Sequence, residues 1–177
     1  MMSKNVYSMP FKDGTLFLAV SNPEAHSKES NDEYAIDFLI KTNTKILAVA
    51  GGVVHKVKDN SKSGGNDEKF AQLKYQNYIT LKHDNGEYSQ YFHLAPGSSL
   101  VKKGDNVKKG QSIAKGVGMI GYTSAPHLHL EVFDENEKSL KIRFGSSIKV
   151  YRGKNAALEL QKSKYQKLRE AIVELQF

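Results

Sequence analysis

The sequence predicts an all-β fold followed by a C-terminal α-helix. Apolar runs with the two-residue period of a β-strand recur throughout the first 144 residues. The 14 glycines and the Asn85-Gly86 pair mark the tight turns that antiparallel strands need. Residues 154–177, in contrast, contain no Gly or Pro, and their apolar side chains recur at helical spacing at Tyr165, Leu168, Ile172 and Leu175.

Length and composition predict one domain with an appendage. We expect a lead-in over residues 1–13, the main domain over residues 14–150 and a helical appendage over residues 151–177. Hydrophobic residues make up 39% of the chain, which is enough for a packed core. The chain has no cysteine, so thiolate zinc sites, disulfides and a cysteine nucleophile are excluded.

The net charge of +7 favours a polyanion, which could be nucleic acid, anionic lipid or an anionic cell wall, or it serves solubility alone. Arginines and aromatic residues do not cluster as they do in proteins that bind single-stranded nucleic acid, so we expect no nucleic-acid partner. No apolar run is long enough to cross a bilayer, so we expect no stable membrane insertion.

The predicted strands follow the apolar runs in order. They cover residues 14–20, 34–40, a pair within 44–57 that is kinked at Gly51-Gly52, 75–83, 87–94, 127–133 and 141–144. Residues 58–74 are polar and predict a mobile surface loop. Two histidines are assigned no chemistry: His55 is expected to be structural, and His83, beside the turn, is expected to be exposed.

Asp37 is conspicuous because it interrupts the apolar run of residues 34–40. Burying an unpaired carboxylate is costly, so this side chain needs a cation, a metal or several hydrogen-bond donors. The strand at residues 127–133 offers such partners, since it begins His-Leu-His. Side chains alternate across a strand, so His127, His129 and Glu131 share one face and the leucines between them share the other. A His-x-His pair alone does not make a zinc site, which needs three or four ligands.

Several motifs, taken together and in order, resemble the lysostaphin/LytM-type zinc endopeptidase family. The resemblance covers residues 16–144, and one motif alone would carry little weight. The motifs are a histidine (His26) upstream of YAIDF at 34–38, AVAGGVV at 48–54, NYITLKHDNG at 77–86, YFHL at 91–94, VKKGDNVKKGQSI at 101–113 and GYTSAPHLHLE at 121–131.

The resemblance implies a site of five polar residues that holds one Zn²⁺ ion per chain. His26, Asp37 and His129 would be the zinc ligands, with water at the open fourth position. His93 and His127 would be the catalytic histidines. A zinc-bound water has a pKa near 7, and a free imidazole can take its proton and pass it to the leaving amine. The second imidazole can stabilise the oxyanion.

The chain departs from the family pattern at two positions near this site. Many members carry the first ligand four residues before the aspartate, where this chain has Glu33. We prefer His26, which matches relatives with a more distant histidine, and Glu33 is the alternative. Ala125 stands where glycine is usual before the Pro-His-Leu-His motif.

The implied fold is an antiparallel open barrel or sandwich with a substrate groove, walled by loops at 21–33, 58–74 and 94–103. The implied function is hydrolysis of peptide bonds in peptidoglycan stem peptides or cross-bridges. We expect a monomer that acts in the periplasm or outside the cell. Which peptide bond would be cut stays open.

Two other functions fit parts of the sequence less well than hydrolysis does. Some relatives keep the fold, lose ligands and activate other wall hydrolases, but this chain retains a full candidate ligand set. The repeat at residues 101–114 resembles the turn of a biotinyl or lipoyl carrier domain. That interpretation lacks the local motif around a modifiable lysine and leaves the histidines without a role.

Overall fold

The fold is all-β, as the sequence predicts. A computed structural model describes residues 1–21, 26 and 31–152. The predicted helix at 154–177 lies outside the described residues. The strands are β1 Leu18–Ser21, β2 Ile36–Leu39, β3 Ile46–Leu47, β4 Gly52–Lys58, β5 Gly64–Gly65, β6 Tyr78–Lys82, β7 Tyr88–Phe92, β8 Asn106–Val107, β9 Ser112–Ala114, β10 Gly121–Tyr122, β11 Leu128–Phe133 and β12 Val150–Arg152.

One large sheet organises these strands. Its eight strands run in the order β12-β1-β2-β11-β7-β6-β4-β8 and do not close into a barrel. Every pairing within it is antiparallel except that of β1 with β12, which is parallel. Two small two-stranded sheets, β10-β5 and β3-β9, flank it. The prediction of an open, largely antiparallel β fold is therefore confirmed.

The two faces of β11 separate the core from the candidate site. Leu128, Leu130 and Val132 point inward and are almost fully buried. The alternate residues His129 and Glu131 point to the opposite face, as strand geometry requires. The core beneath the sheet is rich in β-branched and aromatic side chains, which suit a pleated surface.

The N-terminal segment is irregular but belongs to the core. Tyr7 is fully buried in the main hydrophobic cluster. Its backbone and that of Met2 form isolated β-bridges with Phe144 and Lys141. The predicted strand at 141–144 therefore forms only bridges, because its partner segment is not a continuous strand.

Close packing of two backbones explains why position 52 of the Gly51-Gly52 pair is glycine. A Cβ atom at Gly52 would lie 2.3 Å from the carbonyl oxygen of Lys82 on β6. Only glycine permits β4 and β6 to approach this closely. The register shift of this strand pair lies further along, between Val54 and Lys56.

The polar segment 58–74 contains more regular structure than the sequence predicts. It holds β5 and a short 3₁₀ helix, Glu68–Ala71, and a second 3₁₀ helix, Leu73–Tyr75, follows. The Lys58 ammonium group donates to the carbonyl oxygens of Lys74 and Gln76, which ties the two ends of the segment together.

The expectation that His83 is exposed is wrong. Its side chain is 2% exposed, and both ring nitrogens have partners: Nδ1 lies 2.8 Å from Gly51 O and Nε2 lies 2.9 Å from Ser89 Oγ. His55 lies on β4, with its ring edge-on to that of Tyr88 at 5.4 Å. In the part of the chain that the structure describes, no helix has the length and apolar character to cross a membrane.

Candidate metal and catalytic site

The site begins with a direct contact between two neighbouring strands. In the register of β2 and β11, Asp37 stands opposite His129. Their side chains meet on the open face of the sheet, with Nδ1 of His129 3.0 Å from Oδ1 of Asp37. The carboxylate that interrupts an apolar run thus has an imidazole partner, as its position requires.

A loop histidine completes a group of three. Nε2 of His26 lies 3.4 Å from Oδ2 of Asp37, and the ring of His26 stands edge-on to that of His129 at 4.8 Å. One ligand atom from each of these residues lies within 4.8 Å of the others. Among the described residues Glu33 does not join this group.

The donor set of this group fits a catalytic zinc ion. Zinc in such sites is held by three nitrogen or oxygen ligands, and two imidazoles with one carboxylate are a common combination. All three side chains are at least four-fifths buried. Nδ1 of His26 is buried and has no hydrogen-bond partner within the described ranges, and its Nε2 is the nitrogen that faces Asp37.

The electrostatics of the metal-free group favour an ionised carboxylate. Burial opposes the charge of Asp37, but the charges and hydrogen bonds of His127 and His129 outweigh it and hold its pKa well below the ordinary range. Burial, only partly offset by the charge of Asp37, lowers the pKa of His26, so its ring favours the neutral form that binds metal.

Two more histidines stand beside this group with one nitrogen anchored. Nδ1 of His93 donates to the carbonyl oxygen of Ile120 at 2.6 Å. Nδ1 of His127 lies 2.9 Å from the carbonyl oxygen of Ala125, to which it donates. Each ring therefore keeps Nε2 for other chemistry. The two ring centres are 4.5 Å apart, and Nε2 of His127 lies 3.4 Å from Oδ1 of Asp37.

His93 has an unusual backbone conformation. Its φ of +60° lies in the left-handed region, which residues other than glycine seldom adopt. The residue follows the last residue of β7, so this conformation turns its ring away from the strand's regular alternation. Burial first, and then the nearby charges of His127 and His129, lower the pKa of His93 to about 3. This ring is therefore neutral at physiological pH.

Residues that sequence reasoning did not single out hold this pair in place. The buried side chain of Asn77 accepts from the amide of Ser61 and donates to the carbonyl oxygens of Ser61 and Leu94. It thereby fixes the base of the 58–74 segment next to His93. Thr123 accepts from the amide of Ala125 and donates to its carbonyl oxygen, and so shapes the turn before His127. No periodicity marks either side chain.

A glycine sets the approach of this turn to the sheet. Gly121 has a φ of +75°, and a Cβ there would lie 2.0 Å from Oε1 of Gln76. Its strand β10 pairs in parallel with β5, which brings the 58–74 segment against the turn. The predicted loop 58–74 and the turn that precedes His127 are therefore packed on each other beside the histidines.

Comparison with known proteins identifies the family. The family model described as peptidase family M23 matches residues 31–141, which is well over half of the chain. The chain belongs to peptidase family M23. The matched residues carry four of the five predicted site residues, and His26 lies just upstream of them.

Relatives by sequence include enzymes of the bacterial cell wall. An uncharacterized metalloprotease of Buchnera aphidicola is 34% identical over 121 residues, covering 66% of this chain and 28% of the relative. The glycyl-glycine endopeptidase ALE-1 of Staphylococcus capitis is 33% identical over 101 residues, covering 56% of this chain and 24% of the relative. The peptidoglycan DD-endopeptidase ShyB of Vibrio cholerae is 43% identical over 60 residues, covering 34% of this chain and 13% of the relative. The chain spans less than a third of the length of these relatives.

Solved structures share the fold. A zinc-containing peptidase from Vibrio cholerae superposes with a TM-score of 0.56 at 22% identity, covering 82% of this chain and 41% of that chain. The catalytic domain of the M23 protein EnpA from Enterococcus faecalis superposes with a TM-score of 0.53 at 24% identity, covering 73% of this chain and 92% of that chain. The second comparison shows that nearly a whole M23 catalytic domain has its counterpart here.

Proposed function

We propose that this protein is a zinc-dependent endopeptidase that hydrolyses peptide bonds in peptidoglycan stem peptides or cross-bridges. The observation that carries the proposal is the meeting of His26, Asp37 and His129 on the open face of the sheet, with two further imidazoles beside them. Family membership and the named wall endopeptidases among the relatives support the substrate class.

In this proposal His26, Asp37 and His129 hold one zinc ion, which would supply a water of pKa about 7 as the nucleophile. The remaining steps belong to the two anchored imidazoles. His93 is neutral and keeps Nε2 unprotonated, because Nδ1 donates to Ile120 O. The free Nε2 of His93 is proposed to accept the proton of the attacking water and deliver it to the leaving amine.

His127 is proposed to stabilise the negative charge that forms on the carbonyl oxygen of the substrate. Its Nε2 lies 3.4 Å from the carboxylate of Asp37, so the ring points toward the proposed metal ligands. In its imidazolium form His127 carries a proton on Nε2 as well as on Nδ1, and a fixed donor at that position would lower the barrier because it needs no reorganisation during the reaction. The bond to Ala125 O keeps the ring in this orientation.

The floor beside the ligands suits an extended peptide. The rings of Phe92 and Tyr78 lie side by side at 5.4 Å, and Phe92 also stands edge-on to His129 at 5.6 Å. These apolar surfaces provide contact for a backbone without large side chains, as in glycine- and alanine-rich wall peptides. We propose action in the periplasm or outside the cell, as a monomer, with the net charge of +7 favouring the anionic wall.

Metal analysis paired with digestion of purified cell-wall sacculi tests the proposal. We expect the wild type to bind about one zinc ion and to release cross-link fragments, and His129→Ala to do neither. His26→Ala should also lose the metal, whereas Glu33→Gln, its matched control, should keep metal and activity. The reverse result would make Glu33 the third ligand.

One outcome would favour the regulatory alternative. A wild-type protein that binds zinc but releases nothing from several wall types would be a non-catalytic activator of other hydrolases. Adding such a hydrolase to the same sacculi would then reveal stimulation. A wild type that binds no zinc would contradict the proposal at its first step.

A further inference from the structure

A second row of polar side chains crosses the same face of the sheet as the proposed metal ligands. In the register of β11, β7 and β6, Glu131 stands opposite Gln90, and Gln90 stands opposite Thr80. This row lies two residues from the row that contains His129, a separation of roughly 6.6 Å along a strand. It is therefore a neighbour of the reaction site on the groove floor.

These three side chains line a cavity of about 330 Å³. The stacked rings of Tyr88 and Phe133, nearly parallel at 5.3 Å, form one of its walls. The volume lies within the range of small-molecule pockets. It is large enough for the end of one long side chain.

Two groups on the cavity floor lack the partners that buried polar atoms require. Thr80 is 1% exposed, and its Oγ1 has no hydrogen-bond partner among the described residues. The Glu131 carboxylate is half-buried, and no described residue forms a hydrogen bond or ion pair with it. Buried polar groups in native proteins are nearly always paired, so both groups point to a ligand.

The charge of the lining selects the sign of that ligand. In the part of the chain that the structure describes, four carboxylates and one lysine line the cavity, in a chain of net charge +7; they are Glu131, Asp134, Glu135, Glu137 and Lys56. The Asp134 carboxylate is already occupied by the amides of Asn136 and Lys138. Glu131 is thus the carboxyl group left on the floor, and the acidic lining favours a cation. Burial raises the pKa of this carboxyl to about 7, and a cation bound beside it would favour the ionised form.

The number of acceptors selects the kind of cation. Glu131, Gln90 and Thr80 each offer an oxygen, and a primary ammonium group has three N–H donors and no acceptor. A divalent ion would need six or more oxygen ligands or several bound waters. We propose that this pocket binds the primary ammonium group of a substrate side chain about two residues from the bond that is cut. This inference rests on the proposed function for its substrate, a wall peptide that carries a diamino acid.

Binding of n-butylammonium, compared with n-butanol of the same shape, tests the pocket without any peptide bond. The wild-type chain is titrated with each probe while NMR follows the amides of Thr80 and Gln90. We expect n-butylammonium to shift both amides and n-butanol to bind about tenfold more weakly. Equal binding of both probes, shifts confined to other residues, or displacement of n-butylammonium by Mg²⁺ or Ca²⁺ at equal concentration would overturn the proposal.

Variants locate the effect within the pocket. Glu131→Gln should weaken n-butylammonium binding about tenfold, and Thr80→Val should weaken it several-fold. Glu68→Gln removes an exposed carboxylate of the first 3₁₀ helix, outside the cavity lining; it is the matched control and should bind like the wild type. Zinc content, measured for every variant, separates this effect from a disturbed metal site. Equal affinity of Glu131→Gln and Glu68→Gln would refute the assignment.

Peptide kinetics connect the pocket to the reaction. Two model wall peptides are compared, one with lysine and one with norleucine about two residues from the bond that is cut. The lysine peptide should have the lower KM, and Glu131→Gln should abolish this difference in KM. If n-butylammonium binds as expected but no peptide is cut, the proposed function is wrong and the ammonium-binding pocket is still supported. If both peptides are cut with equal KM, the pocket proposal fails alone.

Discussion

Two carboxylates, Asp37 on β2 and Glu87 just before β7, are largely shielded from solvent but have different kinds of partners. Glu87 is 2% exposed and accepts from four donors: the amides of Lys4 and Asn5, the phenol of Tyr7 and the side-chain amide of Asn85. Asp37, in contrast, is surrounded by three imidazoles at 3.0–3.4 Å.

The difference lies in what the partners can do besides neutralising the carboxylate. The backbone amides and the Asn85 side chain present N–H groups to Glu87, and these N–H groups neither bind a metal nor transfer protons at neutral pH. The phenol of Tyr7 is equally inert, because burial and the nearby Glu87 raise its pKa far above neutrality. Glu87 is therefore a structural anchor for the N-terminal segment. Imidazoles can do both, so Asp37 belongs to a reactive centre.

The largest contrast is expected from removing each charge in turn. Asp37→Asn should reduce the zinc content from about one per chain to near zero and digestion of sacculi to background. Glu87→Gln should retain both, apart from a loss of folded protein. Metal analysis and digestion on the same preparations measure this. An Asp37→Asn protein that keeps its zinc would remove Asp37 from the ligand set.

His93→Asn separates proton transfer from metal binding. Asn tolerates the left-handed conformation at this position better than most residues, so the backbone should be preserved. We expect kcat to fall about 10²- to 10⁴-fold, the usual contribution of a general base, with zinc content unchanged. A comparable loss of zinc would instead make His93 a ligand, and an unchanged rate would leave it without a catalytic role.

Glu87→Gln should lower the free energy of unfolding by about 1–3 kcal/mol, because buried donors lose an ionised acceptor. Urea unfolding of the metal-free protein measures it, since bound zinc would add its own stabilisation. Glu135→Gln, which changes an exposed glutamate, is the control and should have little effect. Equal stability of the two variants would show that the four donors around Glu87 are satisfied without its charge.

The smallest expected effect is the pH dependence of the stability difference between the wild type and Glu87→Gln. Burial alone would raise the pKa of Glu87, but hydrogen bonds from Lys4, Asn85, Tyr7 and Asn5 outweigh it and lower that pKa. A lowered folded-state pKa contributes stability above the unfolded value, about 4.3, and that stability is lost as the pH falls through the folded value. The stability difference between wild type and Glu87→Gln should therefore be constant near neutrality and vanish in acid. A difference that grows in acid would have the wrong sign.

These two carboxylates also show how far the sequence could predict the structure. Asp37 was recognisable as a site residue because it interrupts an apolar strand, and the alternation of β11 predicted which residues share its face. Glu87 gave no such signal, because its partners Lys4 and Tyr7 are 83 and 80 residues away in the chain. Contacts at that separation depend on the whole fold.

Other misses have similar causes. The burial of His83 depends on the carbonyl oxygen of Gly51 across the sheet, which no local pattern encodes. The strand β12, which pairs in parallel with β1, was not predicted, because a strand of three residues is too short for its alternation to be detected. The positions of His26 and Glu33 relative to Asp37 depend on loop geometry, so the sequence left both open.

The left-handed backbone at His93 limits how this position can change over evolution. A saturation library there would be filtered twice, once for folding and once for chemistry. Glycine, asparagine and aspartate should pass the first filter, while valine, isoleucine and threonine, whose branched Cβ conflicts with that conformation, should be depleted even under selection for solubility alone. Inactive descendants of this protein would then tend to carry a small set of replacements, and that bias would record the shape of the main chain long after the reaction was lost.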